Sequence, residues 1–598
     1  MHIYIYKGVN QILLVTTALE ETWGKEEEIL FLGEWCKLYE RKNVWNKRKS
    51  QTLADPWSDR ERRYDAYKYT EKVYGTIIEL LACDLNRVHK LNYPVRYWQI
   101  ICEPWLRLFI DSTYHTWECV SDAIASGKVT EVLEIKIKAE NQIPVDMTDF
   151  EIKSTSDVWN HYISSLIINA RFNKIPTRII EKKNDDLKPT ERFQKKNTAR
   201  KFMSLGYKLL IKCVSYLGLM FNSSKSIFIS NPYLSKRNYI NLMFKLGVFP
   251  ISNVQPKFYQ RYKYNKDFRV DLTLSNKELS EYEIFLYKIV LEQIPYTYVE
   301  GFSNLKLASE RNKWPKAPPA IVTAVDYFSN DIFRYYCAKS VLTGSKINLI
   351  CHGGGGKYKY SSFQDMDLNI CDNYFTWGWS EYSSKCVQGF FVKDNGYKRY
   401  GNKDEKNLLH VMLSKYRYQK GIDSTPSYEQ YINEYINDQI RLLNLLKPDI
   451  KKNVITKLSY DYENSLMDRI SEECSDISYA TMRDNYYMLM SKAKLVVTTY
   501  NCTTPVEALA MNIPTIMYWR DKHWELALSA VPFFDKLRAC GIFHDSPESA
   551  ALMIEQIWDD VDGWWQSQEV VLACNEFRMW FCRESQHPIR ELTDFCKM

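Results

Sequence analysis

The stretch Ile347–Gly356, INLICHGGGG, reads as a short apolar strand that runs into a histidine and four glycines. Glycine permits φ > 0 and leaves its backbone N–H groups uncovered, so such a loop can bring main chain close to a ligand. In α/β proteins, loops of this kind at strand ends hold phosphates and sugars. A second stretch, Leu495–Trp519, LVVTTYNCTTPVEALAMNIPTIMYW, reads as strand, threonine-rich turn, helix and strand. Together the two stretches predict an α/β fold of two Rossmann-like units facing a cleft.

Working outward, QILLVT (11–16) and EILFLG (28–33) read as buried strands. From about 59 to 125 the apolar spacing becomes helical, with Val73, Ile77, Leu81, Leu85 and Val88 on one face. This predicts a helical insertion, placed at about 56–180. SIFIS (226–230), a helix over 236–246, a helix over 281–291, a strand at 320–324 and a helix from Asp331 lead to the glycine loop. Alternation at this spacing implies a parallel sheet. A polar run at 397–406 marks the expected boundary, giving an N-terminal acceptor-side unit (1–400) and a C-terminal nucleotide-binding unit (401–598) that begins with the strand NLLHVML.

The chain has 598 residues, enough for two or three domains, and a net charge of only +7. That balance, with no zinc-finger or RNP-type motif, argues against a nucleic-acid partner. The mixed basic run at 181–201 reads first as a solvated linker and secondarily as contact with an anionic membrane surface. Fifteen scattered cysteines, no CxxC pair and no leader-like start fit a reduced, cytoplasmic protein, peripheral at the inner membrane if it touches one.

His352 can donate to a phosphate or act as a base, with Gly353, Gly354 and Gly355 supplying N–H groups; the competing reading is a structural turn. Thr503 and Thr504 precede Pro505 and Glu507, which predicts a threonine N-cap, a proline at the first helical position, a glutamate in the first turn and a helix N-terminus that favours an anion. Glu507 is placed for ribose or sugar hydroxyls. Lys415 and Arg417, after the first strand of the C-terminal unit, are candidate phosphate ligands. Glu20, Glu21 and Glu34 follow the two N-terminal strands, and Glu21 and Glu34 are candidates for the base that activates an acceptor. Asp365-Met366-Asp367 has DxD spacing but follows a turn, so no metal site and no cofactor are expected.

Several pieces carry a resemblance: LLVTTALEETW (13–23), LFLGEWCKLYERK (30–42), RYWQIICEPWL (96–106), DVWNHY (157–162), HGGGGKYKYSSF (352–363), TWGWS (376–380), and 498–519 through FFDKLRACGIFHDSPESAA (533–551). The chain resembles bacterial transferases of Leptospira-type O-antigen and surface-polysaccharide clusters. More distantly, it is similar to capsule glycosyltransferases and CDP-glycerol glycerophosphotransferases. The resemblance implies a GT-B-like fold and metal-independent transfer from a nucleotide-sugar donor, with a CMP-linked ketose as one option, to a glycan or lipid-linked glycan acceptor. Lys457 and Ser459 stand where such enzymes often show Arg-x-His-Pro, so no phosphate-binding arginine is carried to that strand. The alternatives are a sugar-nucleotide epimerase or hydrolase, a CDP-polyol phosphotransferase, and a non-catalytic partner in glycan assembly.

Overall fold

The computed structural model describes residues 12–25, 27–172, 175–181, 223–249, 262–269, 278–312, 314–353, 358–393, 407–458, 460–474, 476–481 and 484–598. The expected boundary at 397–406 and nearly all of the basic run at 181–201 lie outside them.

Among the described residues, sixteen short strands form three sheets, and every strand pairing is parallel. The first sheet uses β1 (Ile12–Val15), β2 (Glu28–Phe31), β3 (Ser50–Thr52), β4 (Glu131–Ile135) and β5 (Thr177–Ile180), in the order β3-β2-β1-β4-β5. The second uses β6 (Phe228–Ser230), β7 (Ala320–Thr323), β8 (Lys346–Ile350), β9 (Asn373–Phe375) and β10 (Cys386–Val387), laid side by side in chain order. In the third, β11 (Leu408–Val411), β12 (Val454–Lys457), β13 (Ser478–Ala480), β14 (Leu495–Thr498), β15 (Thr515–Tyr518) and β16 (Phe543–His544) take the order β13-β12-β11-β14-β15-β16. That is the dinucleotide-fold order, counted from its own first strand. The strands are apolar because parallel strands covered on both faces have no solvent side; β7, β11, β14 and β15 are buried at every position.

The α/β expectation is met, and the structure divides the N-terminal part further. Residues 1–400 carry two sheets, and the span expected as a helical insertion holds β4 and β5 of the first. It also holds a long hairpin of α1 (Arg60–His89) and α2 (Val95–Ala125). In α2 the apolar residues run round the helix, which marks a helix buried on all sides. It packs against α1, against α3 (Asp157–Arg171) and against α4 (Asp331–Val341) beside the second sheet. Arg334 of α4 is fully buried, and its guanidinium donates to the carbonyls of Ile101 (3.0 Å), Tyr327 and Phe328 (both 2.6 Å). An arginine left unpaired there would cost several kcal/mol, on the order of 3–5, so this network ties the hairpin to the second unit. The last helix, α5 (Pro588–Lys597), returns from the third unit to the second sheet, where Phe595 accepts from Asn348 and packs on Phe375.

Candidate active site

The third sheet reverses its strand order between β11 and β14, and parallel sheets bind ligands outside the carboxyl ends of the strands at such a point. Both ends are tied to one tyrosine. Tyr435 accepts from the Leu413 N–H (2.7 Å) and shares a hydrogen bond with Thr499 (2.7 Å). It projects from a π-helical turn, Tyr431–Tyr435, set between the helical residues Tyr428–Gln430 and Ile436–Leu445. The wider turn stacks Tyr431 on Tyr435 under the strand ends.

After β14 comes the helix Thr503–Ala510. Its N-cap is Cys502, with no side-chain cap, and Pro505 is the third helical residue, so the expected threonine cap is replaced by an open first turn. Thr504 instead bonds Tyr500 through its hydroxyl (2.6 Å). The first turn therefore presents N–H groups and the positive end of the dipole at the switch point.

The glycine loop meets this turn. Gly353 has φ +141°, and a Cβ there would lie 2.6 Å from Thr503 Oγ1, so both backbone conformation and contact require glycine. Downstream, the same segment crosses to the third unit. Tyr358 donates to the Cys502 carbonyl (2.8 Å), Tyr360 accepts from the Ser424 N–H through its own carbonyl, and Ser361 bridges Asp423. The two motifs, some 150 residues apart in sequence, thus form one site. Gly354 and Gly355 lie outside the described residues.

His352 stands just after β8, with Nδ1 buried and without a partner among the described residues. Burial lowers its pKa to about 4; the nearby Lys393 charge adds to this, and a backbone hydrogen bond with Ala324 opposes both. The ring is neutral near pH 7. Lys393 joins the two motifs: its Nζ lies 3.1 Å from Glu507 Oε1 and over the rings of Tyr233 and Trp377. Glu507 Oε1 also accepts from Tyr487 (3.0 Å).

Lys415 sits half-buried after β11, 3.4 Å from Thr425 Oγ1. Burial pushes its pKa down to about 8, against the pull of Asp423 and Asp55; Arg63 and Lys359 add to the lowering. Lys359 is 6% exposed and has no hydrogen-bond or ion-pair partner among the described residues. Asn501 is fully buried at the end of β14, and neither its amide oxygen nor its nitrogen has a partner among the described residues. An amide in that state costs about 1–3 kcal/mol per unmade bond unless a ligand completes it. Lys359 follows the glycine loop, where the sequence offers it equally as added charge or as a solvated side chain, and it is buried. Lys393 and Asn501 did not stand out in the sequence, although Asn501 lies inside the second decisive stretch.

Other expected residues go elsewhere. Arg417 is buried and fully engaged by Asp157 (2.6 Å), Glu463 (2.8 Å) and the Trp35 carbonyl (2.8 Å), joining the third unit to the first. Glu34 pairs with Lys37, Glu20 with Arg41, and none of these bonds reaches His352. Glu21 is exposed in a short 3-10 turn. Asp365 is bound by Tyr67 (2.5 Å), while Asp367 is bound by Tyr327 and by Tyr374 (3.0 Å) and pushed up to about 8 by burial. The two carboxylates of the DxD spacing therefore serve separate tyrosine contacts. Among the described residues, no group of three His, Cys, Asp or Glu side chains is arranged to hold a metal ion, and no helix is long and apolar enough to cross a membrane.

The chain belongs to the LIC12162 family of transferases, whose model matches residues 12–595. A search of curated proteins finds no match. Among solved structures it is similar to TarM (8% identity, 47% of this chain, 55% of that one, TM-score 0.31), so it spans only about half of TarM's length. It is also similar to MurG of Acinetobacter baumannii (9% identity, 66% of this chain, 97% of that one, TM-score 0.29) and to the wall teichoic acid polymerase TagF (11% identity, 68% and 96%, TM-score 0.29).

Proposed function

We propose that the chain is a GT-B-type glycosyltransferase that passes a sugar from a nucleotide-sugar donor to a surface-glycan or lipid-linked glycan acceptor. The observation that supports this most is the packing of Gly353 on Thr503 at the strand-order reversal of the third sheet. In this reading the open helix turn at Thr503 and Thr504 holds the donor phosphate, with Gly353 approaching from the other side and Gly354 and Gly355 assigned as further N–H donors to it. Lys415 and Lys359 supply countercharge, and Asn501 completes its amide hydrogen bonds on the donor. Glu507 has one oxygen committed to Lys393 and Tyr487, and its other oxygen takes the ribose.

His352 starts neutral and can accept or donate one hydrogen bond at the reacting sugar; a phosphate dianion beside it would raise its pKa toward the working range. Glu21 and Glu34 remain the reserve assignment for the acceptor's base. Arg417, spent on Asp157 and Glu463, takes a structural role. The leaving phosphate is met by lysines and a helix N-terminus, so transfer should proceed in EDTA. A CMP-linked ketose is the donor to try first among monophosphates.

A thermal-shift panel of CMP, CDP, UDP, GDP and dTDP tests the reading, because a ligand that binds only the native state raises its apparent stability. One nucleotide should raise the melting temperature, and Thr504→Val should shrink that rise. A panel with no shift at millimolar nucleotide would sink the donor site.

A further inference from the structure

The described residues 223–249 include Lys225, Lys236, Arg237 and Lys245 and no acidic residue. They carry the helix Lys236–Leu246. Its Leu242 and Met243 are buried, and the helix packs against α5, so its inward face is already satisfied. The outward face holds Ile240 and Phe244, one turn apart, 52% and 79% exposed. Tyr233 and Phe249, on either side of the helix, are 44% and 39% exposed. Large apolar side chains among cations, with no carboxylate in the segment itself and Asp326 bound at its edge by Ser230 and Asn231, match the two-layer character of an anionic bilayer surface: acyl chains below, phosphates above. A protein partner's apolar groove would have no use for four cations and no acid.

The patch is also continuous with the site. Tyr233 lies 6.4 Å from the His352 ring, centroid to centroid, and beneath the Lys393 ammonium. We infer that this helix and the Tyr233 loop are a contact for an anionic lipid bilayer, placed so that a lipid-linked acceptor reaches the mouth of the site beside His352. The delivery role rests on the proposed function; the bilayer contact stands without it.

The test is co-sedimentation of the full chain with phosphatidylglycerol-containing vesicles and with pure phosphatidylcholine vesicles. Binding to the anionic vesicles should exceed binding to phosphatidylcholine at least about tenfold and weaken in 0.5 M salt. Ile240→Ser with Phe244→Ser, and separately Lys236→Glu with Arg237→Glu and Lys245→Glu, should each cut anionic binding at least about tenfold. Their melting temperatures and nucleotide-induced shifts should stay at wild-type values. The inference is overturned if the wild type ignores the vesicles or if both variants bind as well as wild type. It is equally overturned if the serine variant changes only oligomeric state in sedimentation velocity, which would make the patch a contact between copies. Vesicle binding without any nucleotide shift would leave this contact standing and remove the donor site instead.

Discussion

The first sheet reverses its strand order between β1 and β4, the third between β11 and β14, and the two crevices are filled differently. In the first, the His161 ring occupies the reversal: Nε2 accepts from the Ile135 N–H (3.0 Å) and Nδ1 shares a hydrogen bond with Thr16 (3.2 Å). Trp35 donates to the Thr16 carbonyl, and the space left, lined by Thr16, Trp35, His115 and Tyr418, is about 10 Å³, room for roughly one water. Among the described residues the Thr17 hydroxyl lacks a partner there, as do Asp55 Oδ2 and Trp57 Nε1 beside His115. In the third, both ends of the Asn501 amide lack a partner among the described residues, a helix N-terminus lies open, and Lys359 is buried with no ion-pair partner among the described residues. Topology creates a crevice at each reversal; side chains decide whether it is closed as core or kept for a ligand.

The largest effect that would break this contrast is catalytic. His352→Ala should lower turnover at least about a hundredfold at nearly unchanged melting temperature. His161→Ala should do the reverse, costing about 2 kcal/mol through unmade bonds and a void while leaving nucleotide binding in place. Equal effects from the two histidines would erase the distinction.

Next is charge. Lys415 loses its proton near pH 8 in the free protein, so affinity for a nucleoside diphosphate should fall as pH rises from 7 to 9. Lys415→Met should bind about tenfold more weakly at pH 7, with a flatter pH profile; calorimetric titration reads both. A profile identical to wild type would move the countercharge to Lys359.

A smaller effect concerns the unmade bonds themselves. Asn501→Leu should raise stability by about 1 kcal/mol, because unpaired buried amide atoms are removed, and should shrink the nucleotide-induced thermal shift. Loss of stability would show that Asn501 has a structural partner.

The smallest is an acid response of the closed crevice. His161 has a folded pKa of about 4 against 6.5 unfolded, because burial disfavours its charged form. Between those values the unfolded chain binds the extra proton, so stability present at pH 7 is lost as pH falls from about 6.5 toward 4. His161→Gln should lose less over that window, a difference of about 2–4 °C at pH 5 by calorimetry.

Much of the fold was legible. The apolar runs at 12–15, 28–31, 320–323, 346–350, 408–411 and 495–498 are strands where the pattern puts them, since a buried parallel strand must be apolar throughout. The helix over 236–246 matches at both ends because Ser235 caps it and Gly247 ends it in the left-handed region. Edge strands such as β3, polar and exposed, and β5, short and exposed, left no comparable signal. Nor did the apolar pattern show that β1 and β2 belong to a sheet of their own, because strand patterns do not record their partners.

At the site, the histidine, the glycine and the two threonines were readable because their chemistry is local: a strand end, a φ above zero, a helix start. The loss of Arg417 to Asp157 and Glu463, the burial of Lys359, and the appearance of Lys393 and Asn501 were decided by contacts between residues far apart in the chain. The sequence by itself determined which segments become strands and helices and where backbone can approach a ligand, because those depend on neighbours along the chain. Only the tertiary structure decided which charges neutralise one another and which remain for a ligand, because burial and Coulomb energy depend on distance in space.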